Sequence, residues 1–305
     1  MVLGLVFLLL VMAVAPVVLE MLRLPMNDGA RKDAPGLVID LPQGRTHIRW
    51  DGPEDGPVLV AVHGLTTPSF VFDAMIPGLV AQGYRVLRYD HLGRGFSDSF
   101  EVAQTAAFFT NHLKALLDQQ GLDQDLTLLG YSMGGSVVTA FAQAHPKMVR
   151  RVILLAPAGI DYPETNVAKC ARTLPLVGDW LMETVGRYTL RRDLLNQRQN
   201  RIEVGGVVDK QLDEFKRRGY LRAVLSSMRG ILADEQEEAH QDVSRHVIPL
   251  VAIWADGDTV IPVSGMAKLA KWNHRAQQDI IKGAGHDVAY THPVEVVDAI
   301  RKLTR

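Results

Sequence analysis

Six residues, Gly130-Tyr131-Ser132-Met133-Gly134-Gly135, set a serine between glycines at −2 and +2. They follow the apolar run Leu126–Leu129 and open a helical stretch over 133–145 that stops before Pro146. A strand that turns sharply into a helix needs small neighbours, and such a turn projects the serine hydroxyl off the sheet. The helix N-terminus behind it favours developing negative charge. A serine hydroxyl is a poor nucleophile near neutral pH, so it needs a base, and the base needs an acid to orient it.

Ten histidines are available as that base. His286 lies in Gly283-Ala284-Gly285-His286-Asp287, directly after the last candidate strand, where glycines let the loop carry an imidazole over the sheet edge. His292 precedes Pro293 and reads as a helix-entry residue. The segment Trp254-Ala255-Asp256-Gly257-Asp258-Thr259-Val260-Ile261-Pro262 offers two carboxylates. Asp258 sits farther into the turn and is taken as the acid. Asp256 is taken to hold the turn through backbone hydrogen bonds, and Asp161 is a distant third. The order Ser132, Asp258, His286 is one in which serine triads occur. The backbone N–H groups of Leu65, in His63-Gly64-Leu65, and of Met133 are assigned to the oxyanion, each worth about 10²–10³ in rate. His63 itself is read as a loop brace.

These residues need a scaffold. Candidate strands are 37–41, 46–50, 58–62, 85–89, 126–129, 152–155, 250–254 and 279–281. The middle runs are nearly continuous and β-branched, as parallel strands covered on both faces must be. Helical stretches over 69–82, 101–120 and 133–145 alternate with them. The expectation is a doubly wound, mostly parallel, eight-stranded α/β sheet with its site at the C-terminal strand ends. Between 161 and 245 the rhythm breaks into helices, such as 164–174, 178–200, 207–217 and 219–230. A helical block inserted there is expected to be a cap. The expected division is 1–24, 25–160, 161–245 and 246–305, with the second and fourth segments forming one core.

Net charge is −1, from 33 basic and 34 acidic residues, so no basic excess exists to neutralise a phosphate backbone, and nucleic acid is excluded as a partner. The single cysteine, Cys170, excludes an intrachain disulfide framework and a cysteine-built zinc site. No HExxH or EF-hand loop occurs, and no cofactor is implied.

Residues 2–19 carry no charge. Eighteen helical residues reach about 27 Å, just short of the ~30 Å hydrocarbon core. A membrane anchor is expected. A signal peptide would want basic residues ahead of the apolar run, and after Ala13-Val14-Ala15 the cut would fall before Pro16. A soluble helix would want a polar face, which is absent. Arg23, Arg31 and Lys32 follow the span, which places the body on the cytoplasmic side.

Over residues 45–305 the sequence resembles the α/β-hydrolase superfamily. The residues that carry the likeness are HGLTTPSFVFD at 63–73, RYDHLGRGFSD at 88–98, GYSMGG at 130–135, APAG at 156–159, WADGDTVIP at 254–262 and GAGHDVAYTHP at 283–293. Within the superfamily it is most similar to capped serine esterases and monoacylglycerol-lipase-like enzymes. Ala255 stands where the family pattern usually has the Gly of Gly-x-x-Asp; the register still points to Asp258. Asp90 and Arg94 match a loop that is usually structural. The serine sets the chain apart from relatives with an aspartate nucleophile. The resemblance implies a carboxylic-ester hydrolase acting on an apolar or lipid-like small-molecule ester. The alternatives are a C–C bond hydrolase, a cofactor-free perhydrolase and, as the non-enzyme reading, a binding protein that kept the fold. Apolar cap residues, among them Leu174, Leu176, Val177, Trp180, Leu181, Met182, Val185, Leu221, Val224, Leu225 and Met228, are expected in part to line the pocket.

Overall fold

The run Val58–Val62 is apolar at every position and almost wholly buried, the pattern of a strand covered on both faces. A computed structural model of the chain describes residues 2–161, 163–198, 202 and 205–304. Its strands are β1 (Leu37–Leu41), β2 (Gly44–Asp51), β3 (Val58–Val62), β4 (Arg85–Tyr89), β5 (Leu126–Tyr131), β6 (Val149–Leu155), β7 (Leu250–Ala255) and β8 (Gln277–Ile281). They form one sheet in the order β1-β2-β4-β3-β5-β6-β7-β8. The hairpin of β1 and β2 is antiparallel, β2 is antiparallel to β4, and every neighbour pair from β4 to β8 is parallel. β4 and β5 lie on opposite sides of β3. The chain therefore reverses direction across the sheet there, and a crevice opens at the carboxyl ends of β3 and β5.

The helices are α1 (Val2–Met21), α2 (Asp28–Arg31), α3 (Ile76–Ala81), α4 (Ala106–Gln119), α5 (Met133–Ala144), α6 (Asn166–Thr173), α7 (Val177–Leu181), α8 (Arg187–Gln197), α9 (Val207–Glu214), α10 (Tyr220–Arg229), α11 (Glu237–Arg245), α12 (Gly265–Trp272), α13 (Val288–Thr291) and α14 (Pro293–Leu303). One face of the sheet packs Val60, Leu128 and Trp254 against Phe109 of α4, Val137 of α5, Val243 of α11 and Leu269 of α12. The other packs Leu59, Leu129 and Ile153 against Leu79 of α3 and Val296 and Ile300 of α14. Between β6 and β7 the described residues form helices and turns without a strand of the sheet. This segment has a core of its own, including Met182, Leu194, Leu212, Phe215, Leu221 and Val224, with Leu65 packed against it.

Several expected boundaries move. The stretch 69–82 is two pieces, a 3₁₀ turn Ser69–Phe72 and α3, because Pro77 lacks the N–H that would continue the ladder. Residues 101–105 are not helical. The Gln104 N–H donates to Ser226 Oγ at 3.0 Å and its carbonyl accepts from Ile231 N–H at 3.0 Å, so Thr105 caps α4 instead. The stretch 178–200 is interrupted by a π segment, Met182–Gly186, and α8 ends at Gln197. Residues 199 and 200 lie outside the described residues.

α1 is long and apolar enough to cross a membrane by length and composition. Its C-terminal end is nevertheless joined to the segment between β6 and β7. Arg23 pairs with Glu20 and, at 2.6 Å, with Glu183. Leu24 N–H donates to Lys216 O at 3.0 Å, and Leu24 O accepts from Arg218 N–H at 2.9 Å.

Candidate active site

β5 ends in the turn that carries Ser132. The serine backbone has φ 54° and ψ −121°, a strained conformation for a residue with a side chain. Its glycine neighbours make the turn possible. A Cβ at Gly130 would lie 2.4 Å from the Gly134 carbonyl oxygen, and one at Gly134 would lie 2.0 Å from that of Val62. Gly64, from the loop after β3, comes as close to the serine: a Cβ there would meet Ser132 Cβ at 3.1 Å.

The Ser132 hydroxyl lies 3.0 Å from His286 Nε2, and His286 Nδ1 lies 2.7 Å from Asp258 Oδ2. The Asp258 side chain is fully covered. Its other oxygen accepts the N–H groups of Val260 and Ile261, each at 2.8 Å, which fixes the carboxylate as an acceptor toward the imidazole. Asp256 accepts from Gly283 N–H at 2.6 Å. Asp161 accepts from Ser264 Oγ at 2.8 Å. His292 caps α14. Three residues from distant parts of the chain thus form one hydrogen-bonded line, in which the imidazole can take the serine proton while the carboxylate holds its tautomer.

The backbone N–H groups of Leu65 and Met133 have no acceptor among the described residues. Met133 opens α5, so its N–H adds to the positive end of that helix. His63 is buried and drawn by that burial to about 4, hence neutral. Its Nδ1 donates to Gly64 O at 2.8 Å and its Nε2 accepts from His91 N–H at 2.9 Å, which braces the loop. Asp90 is buried, yet hydrogen bonds from His47 and from Ser69 N–H hold its carboxyl well below the usual range. Buried Arg94 donates to Leu65 O at 3.1 Å and to Ala223 O at 3.1 Å, joining the loop after β3 to α10.

A cavity of about 320 Å³ opens over Ser132 and His286. Its apolar wall includes Leu190, Leu194, Phe215 and Met228. Of the apolar residues expected to line it, only Met228 does. Leu221, Val224 and Leu225 are buried inside the segment's own core instead, and Leu174, Leu176 and Val177 are exposed. Sequence reasoning also passed over Tyr131. Its hydroxyl donates to the His286 carbonyl at 2.5 Å, and its ring stacks on the imidazole with centroids 5.5 Å apart. Its place beside the serine was the available signal.

The alpha/beta hydrolase fold profile matches residues 57–293. The chain belongs to that family. This alpha/beta hydrolase is similar to an uncharacterized protein of Mycobacterium tuberculosis, 25% identical over 269 residues, 81% of this chain and 75% of the relative. It is also similar to a monoacylglycerol lipase of Xenopus laevis, 29% identical over 177 residues, 54% of this chain and 50% of that one. In three dimensions the alpha/beta hydrolase matches an enol-lactonase of Burkholderia xenovorans with a TM-score of 0.72 at 21% identity, over 88% of this chain and 99% of that one. This last is a likeness of fold.

Proposed function

We propose that the chain is a serine hydrolase that cleaves carboxylic esters of apolar acyl groups. The observation that carries this reading is the hydrogen-bonded line Ser132–His286–Asp258 at the floor of an apolar-walled cavity. Ser132 is the nucleophile, His286 the base and Asp258 its orienting acid. Attack on the ester carbonyl generates an oxyanion, which the N–H groups of Leu65 and Met133 bind. His286 then passes the proton to the departing alcohol. Water, activated by the same imidazole, releases the acid and restores the serine.

Residues 161–245 act as a cap, because Leu190, Leu194, Phe215 and Met228 come from that segment and wall the cavity. The Xenopus relative is named as a lipase, which supports an apolar acyl group. A cavity of about 320 Å³ is near the lower end of ligand pockets, which favours short-to-medium chains. Residues 2–19 anchor the enzyme in a membrane, with the body on the cytoplasmic side.

The test combines a fluorophosphonate label with p-nitrophenyl esters of graded length. Ser132 is expected to be labelled. Each buried methylene is worth at most about 0.8 kcal/mol, so kcat/KM is expected to rise several-fold per two carbons until the cavity is full. Failure to label Ser132 refutes the serine mechanism. A flat or falling profile from acetate to octanoate refutes the apolar acyl pocket.

A further inference from the structure

An apolar helix that docks on a protein gains packing attraction only where atoms meet across the contact. α1 meets the segment between β6 and β7 along a seam. Trp180 Nε1 donates to Met12 O at 2.9 Å, and Glu183 pairs with Arg23 at 2.6 Å. Beside that seam the two surfaces stand apart, and a groove of about 680 Å³ lies between them. Ligand pockets run from about 300 to about 1,000 Å³. The groove shares no lining residue with the cavity over Ser132. It is a second site.

One wall is Ala13 and Val17, one turn apart on α1, and Val17 is still 49% exposed. Opposite them lie Leu176, Trp180, Leu225 of α10 and Val102 ahead of α4. Every charged residue that lines the groove is paired within the protein. Glu101 pairs with Arg222, Asp179 with Arg229 at 2.9 Å, and Glu183 with Arg23. The groove therefore offers no free charge to a polar ligand, and burying a polar group without a partner is unfavourable. Apolar cavities instead stay dry and take up apolar molecules.

The depth of the groove says which apolar molecule is at hand. Met12 lies seven residues inside the end of the uncharged run 2–19, about 10 Å along the helix. With that run in the hydrocarbon of a bilayer, the Trp180 wall lies at the depth of acyl chains. Leu176 at the rim fits the same placement. It is 83% exposed and holds a strained backbone with φ 60°. A leucine held outward is unfavourable in water and favourable in lipid.

We propose that this groove binds an acyl chain of a bilayer phospholipid, held between α1 and the segment on which α1 docks. This rests on the reading that residues 2–19 anchor the chain in a membrane.

The full chain is reconstituted in phosphatidylcholine vesicles with a small fraction of an ether-linked phosphatidylcholine carrying a diazirine in its chain. Ser132 cannot cleave an ether. After irradiation, adducts are mapped by mass spectrometry of peptides. Adducts are expected on Leu10 and Val14, which are exposed on α1, and also on Leu225. Leu225 is 2% exposed and lines the groove, so lipid that merely surrounds α1 does not reach it. Ala103→Trp sets an indole in the groove from a loop outside α1. It is expected to lower labelling at Leu225 several-fold and to leave Leu10 and Val14 unchanged. Labelling of Leu10 and Val14 without Leu225 in the wild type overturns the groove and leaves the anchor standing. Labelling of Leu225 by a diazirine fatty acid but not by the phospholipid overturns the bilayer lipid as occupant. Absence of adducts at all three positions overturns the anchor itself.

Discussion

The indole N–H of Trp180 donates to the carbonyl of Met12 at 2.9 Å. That carbonyl is the one in α1 that would ordinarily accept from residue 16, and Pro16 has no N–H to give. A proline inside an apolar helix thus creates an acceptor, and a side chain 168 residues away fills it. Trp180→Phe is expected to weaken the docking of α1 by about 1 kcal/mol, seen as faster amide exchange over 177–186. In a Pro16→Ala background the helix supplies its own donor, so the same change is expected to cost close to nothing. Equal costs in both backgrounds would refute the pairing.

Ser132→Ala and His286→Ala are expected to remove nearly all ester hydrolysis with the fold intact. The two carboxylates before His286 separate more sharply. Asp258 faces the imidazole, whereas Asp256 bonds Gly283 N–H. Asp258→Asn is expected to lower kcat by about 10³–10⁴, as loss of the correct tautomer does, and Asp256→Asn by less than about tenfold. A larger loss at Asp256 would move the acid by two residues.

Glu214 of α9 is buried, and burial raises its carboxyl to about 7, against a hydrogen bond from Gly95 N–H at 2.8 Å. Asp90 raises it further, while Arg217 and Arg94 lower it. A carboxyl raised on folding stabilises the protein fully below its unfolded value near 4.5, and this is lost as pH rises through about 7. The loss amounts to about 3 kcal/mol at most. Glu214→Gln keeps an acceptor for Gly95 and removes the charge. Urea unfolding is expected to show the variant more stable than wild type at pH 8.5 and no more stable at pH 4.5. The reverse order would mean that folding favours the charged carboxylate, with the Glu214 carboxyl lowered rather than raised.

As an anchor, α1 is expected to keep the full chain with membranes through high salt and alkaline carbonate. Deleting residues 1–24 is expected to release a soluble, active protein. Because Arg23 and Leu24 hold Glu183 and Lys216, that protein should also lose exchange protection over 177–186. Recovery of the full chain in the soluble fraction would refute the anchor.

Much of the sheet was legible because its signals are local. Val58–Val62 is apolar at every position, as a strand covered on both faces can be, and both it and Arg85–Tyr89 have the boundaries that their runs suggest. The entry to α14 is legible at His292-Pro293, whereas α11 has weaker punctuation, although Ala239 with Val243 carries the spacing. Pro77 was equally visible, yet 69–82 was read as one helix.

What the sequence determined by itself is whatever depends on a few neighbouring residues. The glycines around Ser132 dictate a strand-to-helix turn, because no Cβ fits at Gly130 or Gly134. Eighteen uncharged residues dictate an apolar helix, and the alternation of runs dictates a parallel sheet. Tertiary structure decided which groups meet. Asp258 and Asp256 are chemically identical and two residues apart; packing turned one toward the imidazole and the other toward a backbone N–H. Nothing near Trp180 in the chain announces that it completes α1. Periodicity and turn chemistry act within a few residues, whereas a buried hydrogen bond depends on where the whole chain places its second partner.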